Sequence, residues 1–100
     1  MKYAIVFEER VLDNLVEWAP PESVLDELER RVEEQLAANP VQYLTRLTSP
    51  QGPSVVMQYN CPILQRSPET PGLHHFLLRV IYDEDEKTLR VWDMRYYPPA

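Results

Sequence analysis

Hydrophobic spacing divides this chain into two halves. From Glu8 to Leu36 apolar residues return every three or four positions, the period of an amphipathic helix. From Ser54 onward they come in runs rich in β-branched and aromatic residues, which predicts strands. The short run Lys2–Phe7 (KYAIVF) precedes the helical half and predicts a first strand, apolar enough to be covered on both faces. Val11, Leu12, Leu15 and Val16 form the stripe of a first helix, from Glu8 to Trp18, which Pro20-Pro21 stops. Ser23 is placed to cap a second helix, with Asp26 three residues on. Its stripe is Leu25, Leu28, Val32 and Leu36, and Asn39-Pro40 closes it. The short link between the helices predicts an antiparallel helical hairpin.

Residues 41–53 are less decided by pattern. Val41–Leu47 continues as a helical turn or begins an extended segment, and Ser49-Pro50-Gln51-Gly52-Pro53 is a turn. Ser54–Asn60 then reads as a strand and Cys61–Pro71 as a proline-bearing loop. Two further strands, His75–Tyr82 and Thr88–Tyr97, flank the acidic link Asp83–Lys87 and form a hairpin. The expected fold is therefore α+β, a single domain over residues 1–100 in the order β-α-α-β-β-β. A small, mostly antiparallel sheet packs against the N-terminal helical hairpin.

Two arginines, Arg79 and Arg95, sit inside these last strands among apolar residues. A guanidinium is costly to bury without a partner, so both need an explanation. Arg79 shares a face with Leu77 and Ile81, and strict alternation puts Arg95 with Asp93 and Tyr97. By the same alternation Arg90 falls on the other face, with Trp92, Met94 and Tyr96. A loop of three or five residues pairs odd with odd positions and brings Arg79, Asp93, Arg95 and Tyr97 onto one surface. Two guanidiniums and a phenol there suit a bound phosphodiester. The plainer alternative has Asp93 paired with Arg95, and Arg79 paired with a carboxylate of a helix. Trp92 is expected in the core.

Charge narrows the partners. The net charge is −6, and residues 1–39 hold all of it, with Lys2, Arg10, Arg30 and Arg31 against ten Asp and Glu. Residues 40–100 balance, so any contact with RNA has to come from a local patch in the second half. Gly52 and Gly72 stand in separate loops and make no phosphate-binding loop. His74 and His75 are adjacent in a strand, point to opposite faces and cannot chelate together, so neither metal nor cofactor is expected. Both read as polar residues at a strand start. The lone Cys61 fits a reducing compartment, and no apolar run approaches the roughly 20 residues of a membrane span. MKYAIVFEER turns acidic too early for a signal peptide, so the expected location is the cytoplasm, with no membrane partner.

The element order, the end of the helical half at Ala38-Asn39-Pro40, and the segment Leu78-Arg79-Val80-Ile81-Tyr82-Asp83-Glu84-Asp85 resemble the RelE/ParE superfamily of bacterial toxins. The ending Asp93-Met94-Arg95-Tyr96-Tyr97 is similar to the Arg-Tyr-His-Tyr end of its YoeB branch. The resemblance spans nearly the whole chain, and its specific part is the C-terminal hairpin. It implies the toxin of a type II toxin–antitoxin pair, an endoribonuclease that cleaves mRNA on the ribosome and is held by a cognate antitoxin. Self-association is left open. Arg79 matches the arginine that steadies the scissile phosphate, and Arg95 and Tyr96 match the Arg-Tyr pair. Tyr97 stands where that branch has its catalytic histidine, and Pro98 where it has a terminal tyrosine. The implied catalytic residues are Arg79, Arg95 and Tyr97. Arg46 and Arg66, the other cations between residues 41 and 86, and Tyr96 are the candidates for RNA contact. No upstream glutamate or lysine aligns with the family's general base. The alternative is a non-catalytic binding protein of the same fold, either a target inhibitor of the gyrase-inhibiting type or a degenerate member kept for protein contacts, with the acidic helices as its partner surface.

Overall fold

The computed structural model of the chain describes residues 2–46, 54–66 and 71–99. Five strands form one mixed sheet in the order β1-β5-β4-β3-β2. They are β1 (Ala4–Phe7), β2 (Thr45–Arg46), β3 (Ser54–Gln65), β4 (Gly72–Asp83) and β5 (Thr88–Tyr97). β1 runs parallel to β5, and the other three pairings are antiparallel. The helices α1 (Glu9–Trp18) and α2 (Glu22–Arg31), a π-helical segment (Val32–Ala37) and the turn α3 (Pro40–Tyr43) fall between β1 and β2. The α+β class matches the sequence pattern, and β2 with α3 is added to it: residues 41–46 form both a helical turn and a short extended segment. The turn expected at Ser49–Pro53 lies outside the described residues.

One face of the sheet carries the core. Met57, Tyr59, Cys61 and Ile63 of β3 lie opposite Val80, Leu78, Phe76 and His74 of β4. Leu89, Val91 and Met94 of β5 complete the buried layer, and Val11, Val24, Leu28, Val32 and Leu36 cover it from the helical side. Burial of this kind stabilises by about 25 cal/mol per Å² of apolar surface, so it dominates the fold.

Several expectations change in physical detail. α2 begins at Glu22 after Pro21, so Ser23 lies within its first turn and caps nothing; its Oγ instead accepts a hydrogen bond from Gln65 Nε2. The helices do not close on each other as a packed hairpin. α1 lies over β5 and α2 over β3. Ala19 in the left-handed region (φ 46°), followed by two prolines, fixes the splay. The stripe on α1 is accordingly only partly covered: Val11 is buried, whereas Leu12 and Val16 are exposed. Between the helices lies an apolar groove of about 720 Å³, with Ile5 and Phe7 as floor, Leu12, Leu15 and Leu25 as walls, and Glu29 and Glu33 on the rim. At the far end of α2 the wide π-helical turn puts the Ala37 carbonyl 2.8 Å from the Tyr3 N–H, tying the helix to β1.

β3 runs five residues past its expected end at Asn60 and takes Pro62 into the strand. Proline, which lacks an N–H, is tolerated because among the described residues β2 pairs only with Met57 and Gln58, and no strand flanks Pro62 on that side. The Pro62 carbonyl accepts from Arg31 Nη1, which blunts that edge further. Gly72 (φ +113°) opens β4 against Pro99, whose Cβ lies 2.6 Å from where a side chain's first carbon would stand. Among the described residues no helix is long and apolar enough to cross a membrane.

Candidate functional site

The decisive local feature is a β-bulge in β5. Next to the turn, β4 and β5 pair Asp83 with Thr88, Ile81 with Arg90 and Val80 with Val91, odd with even positions. The register then shifts, and Arg79 pairs with Asp93, Leu77 with Arg95, and His75 with Tyr97. Trp92 is the extra residue. The intervening loop is thus four residues, Glu84–Lys87, not three or five, and by parity alone it would have sent Arg79 and Arg95 to opposite faces. The core explains the bulge: Leu89 and Val91 face inward at odd positions, Met94 and Tyr96 at even ones. Only an extra residue between them lets both pairs reach the same side.

The bulge therefore assembles Arg79, Asp93, Arg95 and Tyr97 on the face of the sheet away from the helices. It also overturns the expected placement of Arg90. With Leu89 and Val91 both buried, Arg90 points outward and lines a small depression with Val6, Ile81, Asp83 and Thr88. Arg90 thus belongs to the arginine face, diagonal to Arg79. The signal for it was present in the sequence as the switch of apolar residues from odd to even positions. Trp92 is half-buried at the bulge rather than in the core; the Arg10 guanidinium lies 5.5 Å over its ring and bonds its carbonyl.

The arginines are lightly held. Arg95 Nε is 3.9 Å from Asp93 Oδ2 and Arg90 Nε is 3.6 Å from Glu8 Oε1, and both arginine side chains are exposed. Pairs of this kind contribute little and leave the cations available. Among the described residues no carboxylate stands within salt-bridge distance of Arg79, and a carboxylate of the helices could not reach it, because they cover the opposite face. The plainer alternative is met in its first half and not in its second. Gln58 and Asn60 of β3 extend the polar surface beside Arg79 and Leu77.

Of the two histidines, His75 joins this face. Its ring lies 5.9 Å from that of Tyr97, which is half exposed. His74 turns inward, is 3% exposed, and its Nδ1 is 2.7 Å from the Tyr96 hydroxyl. Tyr96 stacks on Phe76 at 4.8 Å, and burial holds its phenol above the usual tyrosine range. Tyr96 is thus on the helix-side face, turned away from the arginines. Arg66 is exposed just beyond β3, about eight residues along the strand from the position opposite Arg79, or roughly 26 Å. Arg46 pairs with Met57, a core position, whereas its neighbour Thr45 pairs with Gln58. The structure thus gathers Arg79, Arg95 and Tyr97, and leaves Arg66 and Tyr96 outside the cluster. Cys61 is buried, and burial pushes its thiol up, which keeps it protonated and unsuited to act as a nucleophile.

Compared with protein-family models, curated proteins and solved structures, the chain matches none.

Proposed function

We propose that the protein is the toxin-like partner of a type II toxin–antitoxin pair and that its open sheet face cleaves RNA, most simply mRNA held on the ribosome. The observation that carries this reading is the convergence of Arg79, Arg95 and Tyr97 on one exposed face, created by the bulge at Trp92. In the reaction the ribose 2′-hydroxyl gives up its proton and attacks the adjacent phosphate while the P–O5′ bond breaks, leaving a 2′,3′-cyclic phosphate and a 5′-hydroxyl whose oxygen takes up a proton; the two guanidiniums stabilise the negative charge that develops. Proton transfer falls to the pair at the end of the hairpin. A phenol is a poor shuttle at neutral pH, but His75 stands across the ladder from Tyr97, and imidazole is the side chain that ordinarily exchanges protons in that range. His75 thus takes the place of the histidine that the last strand lacks. The reading requires an antitoxin, and the groove between α1 and α2, apolar with an acidic rim, fits an amphipathic helix with basic flanks.

The test is induced expression in a bacterial host, following growth and mRNA integrity together. The wild type should arrest growth with cleaved mRNA, and Arg79→Ala and Arg95→Ala should each relieve both effects. His75→Ala should slow cleavage by about 10²-fold or more, the usual worth of a general acid or base. Intact mRNA and normal growth with folded wild-type protein would remove the nuclease. The non-catalytic reading would then stand, with the exposed Leu12 and Val16 beside the groove as its contact surface.

A further inference from the structure

Beyond the end of β1, the edge of β5 and the second half of α1 border an open pocket of about 490 Å³. Asn14 and Trp18 line it from α1, and Asp93 to Tyr97 from β5, with Met94 and Tyr96 on the helix side and Asp93, Arg95 and Tyr97 on the arginine side, so it lies at the strand edge where the two faces meet. Its size is in the range that holds a small organic ligand. We propose that this pocket reads a nucleobase, and that the base is guanine; the proposal deepens the RNA-cleaving reading and rests on it for the identity of the polymer.

Three features lead there. Tyr97, half exposed, and the part of Trp18 left open by its tilted contact with Tyr96 at 6.1 Å offer aromatic surface to a flat heterocycle, a contact any base can make. Arg95 stands at the mouth, where the phosphate of that nucleotide would lie. Asp93 supplies the discrimination. Its side chain is 22% exposed and its one ion-pair contact, to Arg95 at 3.9 Å, is long, so the carboxylate keeps acceptor capacity toward the pocket. A carboxylate is acceptor-only, and guanine alone presents two adjacent donors, N1–H and the N2 amino group, that it can engage together. The Asn14 amide can donate to the guanine O6. Adenine, cytosine and uracil each leave the second carboxylate oxygen without a donor.

The experiment is an NMR titration of the purified protein, including the Trp18 indole signal, with GMP, AMP, CMP and UMP in turn. GMP should bind about tenfold tighter than the other three, the discrimination a bidentate contact gives. Asp93→Asn should erase that preference by weakening GMP alone, and Arg95→Ala should weaken all four alike. Asn14→Ala, a second variant on a different element, should lower the preference without abolishing it. Equal affinities, or no binding of any nucleotide, overturn the proposal. So does an Asp93→Asn effect of the same size on all four, because Asp93 would then act only by holding Arg95. The two readings fail separately. Intact mRNA in cells with the GMP preference retained removes the nuclease and keeps the pocket; cleaved mRNA with equal mononucleotide affinities removes the pocket and keeps the nuclease.

Discussion

Glu84 shows how much one side chain can organise. Its carboxylate accepts from Lys87 Nζ, from the Tyr82 hydroxyl and, at 2.9 Å, from the Tyr3 hydroxyl, and so ties the β4–β5 turn to the N-terminal strand. The Lys87 ammonium, followed by the two phenols, holds its carboxyl well down, at about 2. Glu27, bonded first by Arg30 and then by Arg31, is held down to about 2 as well. A carboxyl depressed in the folded state contributes stability that is fully present above its unfolded value, near 4.5. That contribution is lost as pH falls toward 2. The urea midpoint should therefore decline between pH 4.5 and 2, and Glu84→Gln should flatten that decline. A variant with an unchanged slope would mean that Glu84 carries no share of it. At the same scale, Tyr59 donates 2.7 Å to Gln35 Oε1 and burial raises its phenol well above the ordinary range, so this link between β3 and the π-helical segment stays neutral and intact.

At the scale of elements, β5 is the strand that matters, and Trp92 is its irregularity. Removing Trp92 leaves Leu89, Val91, Met94 and Tyr96 in strict alternation, with Arg90, Asp93, Arg95 and Tyr97 on the other side. A deletion variant should therefore fold, with both faces preserved and the strand straightened. Its loss should be on the order of 1 kcal/mol, from the Arg10 stacking and the bond to the Trp92 carbonyl. Thermal unfolding and cross-strand NOEs between residues 79 and 93 would check it; a collapsed variant would show that the bulge does more than correct the register. This is also where the sequence was hardest to read. Strict alternation through Thr88–Tyr97 predicts Arg90 and Trp92 on the core side; the bulge turns Arg90 outward and leaves Trp92 unpaired, while Arg79 and Arg95 still share a face.

Across the whole molecule, charge is sorted by face. The helices carry most of the acidic residues over one side of the sheet, and Arg79, Arg90 and Arg95 stand on the other. An acidic protein of net charge −6 can then present a cationic surface to RNA, because Debye screening confines each patch to about 8 Å at physiological salt. If the three arginines each meet one phosphate of a single strand, log K should fall against log salt with a slope of about −2, from roughly −0.7 per contact. Arg90→Gln should shallow the slope by about 0.7 without changing base preference. A slope near zero would place the RNA elsewhere. The same sorting separates two surfaces, the arginine face and the acidic-rimmed groove between α1 and α2, to which the proposed reading assigns RNA and a protein partner in turn.

The sequence alone determined the class of the fold, the order of its main elements and the residue types of the site. Period and composition act locally, and they survive whatever the rest of the chain does. It also singled out Arg79 and Arg95, because cations among apolar strand residues are costly enough to stand out, and Tyr97 through its shared face with Arg95 and the family resemblance. Tertiary structure decided which side chains meet. Whether Arg90 joins Arg79, whether His75 stands beside Tyr97, and whether Tyr96 turns to the core all depend on register. Register is set by the packing of Leu89, Val91, Met94 and Tyr96 against the helices, not by any property of the strand itself. The splay of α1 and α2 was likewise outside the reach of pattern, since a stripe records which face is apolar and not what will cover it.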